Sequence, residues 1–214
     1  MDTSGPDIAR SALIIVDMQN DFVHADGAFS HRAKENPEAG IDMEFLGSTV
    51  APIKRLAAAF RETGRPVIYI AHVVKADRSD AAYPYWRHPP PKGNRTFITE
   101  GTWGAAVIDE LAPEEGEHLV IKKGFGGFGN TRLDTILRNQ DITTCVVTGV
   151  TTCVCVSTTI RGGVEHNYRM ILAGDATAEV NKDAHVAELK TMARVFADVK
   201  TTDEVIEMLS QLTG

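Results

Sequence analysis

The chain has 214 residues, of which 43% are hydrophobic and 24% charged, a balance that excludes wholesale disorder. With 22 basic against 29 acidic residues the formal charge is −7, the wrong sign for a general nucleic-acid binder. No apolar run approaches the roughly 18 residues of a membrane span, and the first residues have neither the basic start nor the apolar stretch of a signal peptide, so a cytoplasmic protein is expected.

The first strong signal in chain order is Ala12-Leu13-Ile14-Ile15-Val16, an apolar run that stops abruptly at Asp17. A short run of this kind reads as a strand buried on both faces, which means a parallel sheet. Apolar residues at Val50, Ile53, Leu56, Ala57 and Phe60 predict a helix over 48–60, with a Ser/Thr cap before it and Gly64 and Pro66 after it. Val67-Ile68-Tyr69-Ile70 is the second strand and Leu119-Val120-Ile121 the third, followed by a helix near 131–137. Cys145-Val146-Val147 is the fourth strand, with a helix after Thr152; Met170-Ile171-Leu172 is the fifth, with a helix near 184–195. A sixth strand around 196–199 precedes a last helix, opened by the capping box Thr201-Thr202-Asp203-Glu204. Strand and helix alternate throughout, which predicts an α/β fold: one domain over 1–214 with an open, doubly wound, mainly parallel six-stranded sheet and helices on both faces. The stretch 75–102 breaks the rhythm with Tyr83, Tyr85, Trp86 and the prolines Pro89, Pro90 and Pro91, and reads as a lid or subunit-contact insertion.

The three cysteines, Cys145, Cys153 and Cys155, fall within eleven residues, a poor disulfide framework that suits a reducing compartment. Cys145, inside a strand, reads as core. The run Gly124-Phe125-Gly126-Gly127-Phe128-Gly129 satisfies G-x-G-x-x-G between a strand and a helix. The dinucleotide fingerprint also needs an acid at the end of the next strand, and Val147-Thr148-Gly149-Val150 has none. A glycine turn bringing backbone close to a crevice is the plainer reading, and no cofactor is expected.

Ligands of open α/β sheets bind beyond the carboxyl ends of the strands. Asp17 closes the first strand, Lys122 and Lys123 close the third, and Cys155 lies just past the fourth, near the first turn of a helix. A helix start lowers a thiol pKa, and an acid, a base and a soft nucleophile at one crevice suit covalent amide hydrolysis.

Three motifs in register, Asp17-Met18-Gln19-Asn20-Asp21-Phe22, Phe128-x-Asn130-Thr131-x-Leu133 and Gly149-Val150-Thr151-Thr152-x-Val154-Cys155-Val156, resemble the isochorismatase-like cysteine hydrolases. The resemblance runs from about residue 11 to 212. It is closest to the amidase branch containing N-carbamoylsarcosine amidase, ureidoacrylate amidohydrolase and biuret hydrolase. It implies Asp17, Lys122 and Cys155 as catalytic triad and a cis peptide at Val150–Thr151. It further implies an oxyanion hole from the backbone N–H groups of Thr151 and Cys155. It also implies cleavage of a small amide or ureido substrate with ammonia release, and assembly as a homodimer or homotetramer. The segment Lys123-Gly124-Phe125-Gly126-Gly127 departs from the family pattern, in a loop that lines the family's pocket. Candidate substrate contacts are Asn20, Phe22, Trp103, Phe125 and Phe128, while Arg78, Arg87 and Arg95 are possible partners for a substrate carboxylate. The family's metal-dependent nicotinamidases carry an Asp and two His at paired spacing after the second strand. Here that stretch reads Ala71-His72-Val73-Val74-Lys75-Ala76-Asp77, and His24, His31, His88 and His166 show no ligand spacing, so no metal is expected. The alternatives are ether hydrolysis, a nicotinamidase, or a non-catalytic binding protein on the same fold.

Overall fold

In a computed structural model, which describes residues 5–82 and 96–212, the strongest apolar runs form the inner strands of one parallel sheet. The elements run in the order β1 (Ser11–Val16), α1 (Asn20–Val23), α2 (Ala28–Glu35), α3 (Met43–Gly47), α4 (Val50–Glu62), β2 (Val67–His72) and β3 (His118–Lys122). Then come α5 (Leu133–Asn139), β4 (Thr144–Val150), α6 (Ser157–Glu165), β5 (Arg169–Ala178), α7 (Lys182–Val195), β6 (Asp198–Lys200) and α8 (Thr202–Ser210). The strand order is β3-β2-β1-β4-β5-β6, and every pairing is parallel. Strands β1, β2 and β4 are buried at every residue, as a sheet covered on both faces requires. Edge strand β3 leaves Leu119 and Ile121 exposed.

Alternation along β1 divides the interior in two. Leu13 and Ile15 pack with Leu46, Ile53, Leu56 and Phe60 and with Val205 and Leu209, which places α3, α4 and α8 on one face. Ala12, Ile14 and Val16 pack with Leu133, Leu137, Ile160 and Met192, which places α5, α6 and α7 on the other. The buried stripe of α4 is Ile53, Leu56, Ala57 and Phe60, the spacing the sequence predicts. Its cap differs from the expectation. Thr49 is helical, and its hydroxyl donates to the Leu46 carbonyl at 2.7 Å, because α3 runs almost directly into α4. The predicted capping box of α8 is present, with Thr201 and Glu204 bonding each other's backbone amides. α7 is capped by Asn181, whose side chain accepts from the amides of Asp183 and Ala184.

Within the insertion, a bridge between Val74 and Thr99 joins the flanks. The aromatic and proline-rich part, 83–95, with Arg87, His88 and Arg95, lies outside the described residues. Among the described residues no helix is long and apolar enough to cross a membrane.

Candidate active site

The winding of the sheet switches sides between β1 and β4, the chain adding β2 and β3 on one side of β1 and then β4 on the other, so a crevice opens beyond their carboxyl ends. Asp17 follows β1 directly. Its amide still bonds the Ile70 carbonyl at 2.9 Å, and its backbone turns left-handed, at φ 51°. This sparsely populated conformation takes the side chain off the strand's alternation and is held by the surrounding sheet. Lys122 is the last residue of β3, in register with His72, the last of β2. At the end of β4, Gly149 has φ 105°, and a Cβ there would overlap the Val16 carbonyl, so only glycine lets β4 lie this close to β1. The Val150–Thr151 peptide is cis, as the resemblance implies. A π-helical turn, Thr152–Val156, then carries Cys155 into α6.

Asp17 and Lys122 are wholly buried and Cys155 is 5% exposed. The Lys122 ammonium lies 2.8 Å from Asp17 Oδ2, and donates to Cys155 Sγ at 3.4 Å and to the Gly124 carbonyl at 3.1 Å. The ammonium thus makes two hydrogen bonds and one ion pair, and the Asp17 oxygens have no hydrogen-bond partner among the described residues. Burial lifts the Asp17 carboxyl above the ordinary carboxylate value, with Lys122 pulling it down. Burial works against the Lys122 charge, yet Asp17 and Cys155 hold the ammonium above its ordinary pKa. The Cys155 thiol is pushed up by burial and by the facing Asp17, with Lys122 opposing. The direction is opposite to the expectation of a thiol acidified by the start of a helix: desolvation and the facing carboxylate raise it.

Hydrogen bonds fix the turn that carries the thiol. The amides of Val154 and Val156 both donate to the Thr151 carbonyl, and that of Cys153 to Glu179 Oε2 at 2.7 Å. Glu179 is buried at the end of β5, and its other oxygen accepts from the Val180 amide at 2.9 Å. Thr152 Oγ1 is 2.8 Å from His185 Nδ1. Thr159 donates to the Cys155 carbonyl at 2.7 Å and accepts from the Gly127 amide at 2.9 Å. The glycine run thus packs on α6, where a Cβ on Gly126 would come within 2.9 Å of Thr158. That close approach accounts for Gly126 and, with Thr159 3.1 Å from a Cβ there, for Gly127; nothing crowds Gly129.

The structure separates residues that the sequence leaves together. Lys123 points away from Cys155 and pairs with Asp80 at 2.7 Å. Cys153 is half-buried, its Sγ 3.5 Å from the Ala184 carbonyl, and burial and the Glu179 charge push its thiol up to about 12. His72 comes forward. Buried at the end of β2, it presents its ring to Phe125 edge-on at 6.1 Å, and burial drives its pKa down to about 2, so it stays neutral. Among the described residues Asp17, His72 and Cys155 form a group whose ligand atoms lie within 4.8 Å of one another. The Lys122 ammonium already supplies a positive charge to two of them, so a metal ion there would meet a cation.

Of the candidate substrate contacts, Phe125 is the aromatic that lies beside this cluster. Phe128 belongs elsewhere. Its ring is buried against His166 and Tyr168 and touches Gly162 and Gly163, so it serves the packing of α6. Phe22 is core, edge-on to Phe29 and Phe97. Asn20 is buried and donates to the Trp103 carbonyl at 2.8 Å. Trp103 is half-exposed and lines a pocket of about 600 Å³ together with Phe29, Phe97, His31 and Arg32. Asp17, Lys122 and Cys155 do not line that pocket, and of the candidate contacts only Trp103 does. Asp21, unremarked in the sequence except as part of a motif, ties the two regions together by accepting from the amides of Ile98 at 2.6 Å and Ala28 at 3.3 Å.

Residues 11–204 match the family model described as Isochorismatase domain. The chain is 30% identical to the ureidoacrylate amidohydrolase RutB of Methylobacterium radiotolerans, over 96% of this chain and 83% of that one. It is also 30% identical to the RutB of Agrobacterium fabrum, over 95% and 91% respectively. Among solved structures it resembles a cysteine hydrolase from Pseudomonas syringae pv. phaseolicola 1448A, with TM-score 0.82 and 31% identity over 99% of each chain. It also resembles N-carbamoylsarcosine amidase from Thermoplasma acidophilum, with TM-score 0.72 and 28% identity over 91% of this chain and 97% of that one.

Proposed function

Because the chain belongs to the isochorismatase-domain family, we propose that it is a cysteine amidohydrolase that cleaves the C–N bond of a small amide or ureido substrate. The RutB relatives, named for hydrolysis of a ureido compound, support the C–N bond as target. The observation that carries the cysteine mechanism is the buried Lys122 ammonium, in contact with Asp17 at 2.8 Å and with Cys155 Sγ at 3.4 Å.

In this mechanism the Asp17 carboxylate takes the Cys155 proton, a role its raised pKa suits. The sulfur attacks the substrate carbonyl, a C–S bond forms, and the carbonyl electron pair moves onto oxygen. That oxyanion accepts from the Thr151 and Cys155 amides, each such donor worth about 10²–10³ in rate. Collapse breaks the C–N bond. The leaving nitrogen takes the proton from Asp17 and departs as ammonia, leaving a thioester. A water then gives a proton to Asp17 and its hydroxyl to the acyl carbon, the C–S bond breaks, and the thiolate recovers the proton.

The test is ammonia release from ureido acids, biuret, nicotinamide and short aliphatic amides, with wild type beside Cys155→Ala. Turnover that falls about 10⁴-fold or more in the variant, with an acyl adduct on wild-type Cys155 by mass spectrometry, supports the reading. Turnover that survives without the thiol, or a silent wild type, overturns it in favour of ether hydrolysis or a non-catalytic role.

A further inference from the structure

Arg78 takes no part in the chemistry above, yet it is the most deeply buried arginine among the described residues, 2% exposed. It sits on the loop after β2, with a left-handed backbone at φ 61°. Its own amide bonds the Lys75 carbonyl, and the Ala81 amide bonds its carbonyl. Four residues on, the Ala82 amide bonds the Lys123 carbonyl at 2.7 Å, and Ala82 packs against Gly124, whose carbonyl receives Lys122. On the other side Arg78 Nη2 donates to the Phe97 carbonyl at 2.8 Å, in the stretch tied to Asp21. The loop that carries Arg78 is thus tied through Ala82 to the end of the catalytic lysine's strand, and the guanidinium itself is bonded to the wall that carries Phe97.

Its second terminal nitrogen, Nη1, is buried and has no acceptor among the described residues. Arginines are almost never buried without a partner, because the charge cannot be shed and each donor left dry is unfavourable. The nearby acids are already engaged. Asp17 faces Lys122 and Asp80 faces Lys123, while Asp21, whose charge does act on Arg78, has both oxygens accepting from backbone amides and neither bonded to Nη1. His72 stays neutral and offers no countercharge. The group that suits an unmatched guanidinium N–H at the rim of a catalytic cluster is a carboxylate, whose oxygens fit the planar fork.

We propose that Arg78 is a specificity residue that holds a substrate carboxylate remote from the scissile carbonyl, making amide or ureido acids, and not neutral amides, the preferred substrates. This rests on the amidohydrolase reading, but binding tests it without turnover. Ureidoacetate, 3-ureidopropionate and 4-ureidobutyrate, each beside the alkylurea lacking its carboxylate, are titrated by calorimetry into Cys155→Ser protein with and without Arg78→Met. The expected result is at least one acid binding tenfold or more tighter than its neutral counterpart. Arg78→Met then removes that preference, Arg78→Lys keeps part of it, and the affinity for the alkylurea changes less than threefold. Acids that bind no tighter than their alkylureas overturn the proposal, as does an Arg78→Met change that weakens both alike. Should Arg78→Met fail to fold, Arg78→Lys and salt decide: the acid's affinity must fall with both while the alkylurea's holds. Failure of the thiol chemistry itself appears separately, as ammonia release that survives in Cys155→Ala.

Discussion

Replacing Lys122 by methionine isolates the electrostatics of the cluster, because the side chain is wholly buried and its length is nearly conserved. At the observed 2.8 Å its attraction for Asp17 is about 6 kcal/mol at an effective dielectric near 20. Desolvation offsets much of this in the wild type, but in the variant Asp17 is left buried and alone. Breaking a buried pair from one side costs about 3–5 kcal/mol. The deficit has a definite pH dependence. Burial already lifts Asp17 above 3.8, and losing Lys122, the main opposing influence, lifts it further. A carboxyl with a higher pKa folded than unfolded binds its proton preferentially in the folded state. Stability therefore falls as pH rises from the unfolded value to the folded one, by up to about 1.4 kcal/mol per pH unit. Urea unfolding of Lys122→Met against wild type is expected to show a deficit about 2 kcal/mol larger at pH 8 than at pH 5. Adding Asp17→Asn should recover about 2 kcal/mol at pH 8, since the stranded charge is gone. An equal deficit at both pH values, or an additive double variant, would refute the reasoning.

Three further outcomes are expected. Gly149→Ala places a Cβ against the Val16 carbonyl at a left-handed residue, and should lose roughly 3 kcal/mol or more or fail to fold, whereas wild-type stability in calorimetry would contradict the fit. Glu179→Gln keeps one acceptor oxygen for two amides, those of Cys153 and Val180. It should lower stability by about 1–3 kcal/mol and kcat about tenfold with KM within threefold; an unchanged kcat would mean the clamp does not position the thiol. The acid limb of kcat/KM should lie above pH 3.8, because Asp17 must be ionised to take the thiol proton and burial raises its pKa; a limb at or below 3.8 would remove Asp17 as the base.

The sequence makes the sheet legible because runs such as 12–16 and 67–70 are apolar at both parities, which only a doubly covered strand tolerates. The same logic hides α1, α2 and α3. α2 buries only Ser30 and so carries no apolar stripe to read, and the other two span hardly more than one turn. β5 extends well beyond the apolar triplet 170–172 through Gly174 and Asp175, which look like a turn; a register irregularity between Val147 and Gly149 lets the pairing resume at Thr177. Asp17, Lys122 and Cys155 were visible as chemistry-bearing residues at strand ends. His72 was not, because its approach to the cluster depends on the register of β2 with β3, and nothing in the local sequence reports a register. The packing of Phe128 was hidden for a related reason. A motif position says that a ring is wanted, while its neighbours, Gly162 and Gly163, lie over thirty residues away on α6.

The position of the Lys122 ammonium, paired with Asp17 and donating to Cys155 and Gly124, has a consequence for what happens as the proton crosses. Before transfer the enclosed charge is one negative carboxylate and one ammonium; afterwards it is one thiolate and the same ammonium. The sum is zero both times, and the cation that balances the charge is anchored by the neutral Gly124 carbonyl while the negative end moves from one neighbour to the other. A shift of this kind needs little reorientation of bulk water and leaves the long-range field of the molecule almost unchanged. In the proposed mechanism thiolate formation is therefore an internal event, insulated from ionic strength, even where the capture of a charged substrate is not.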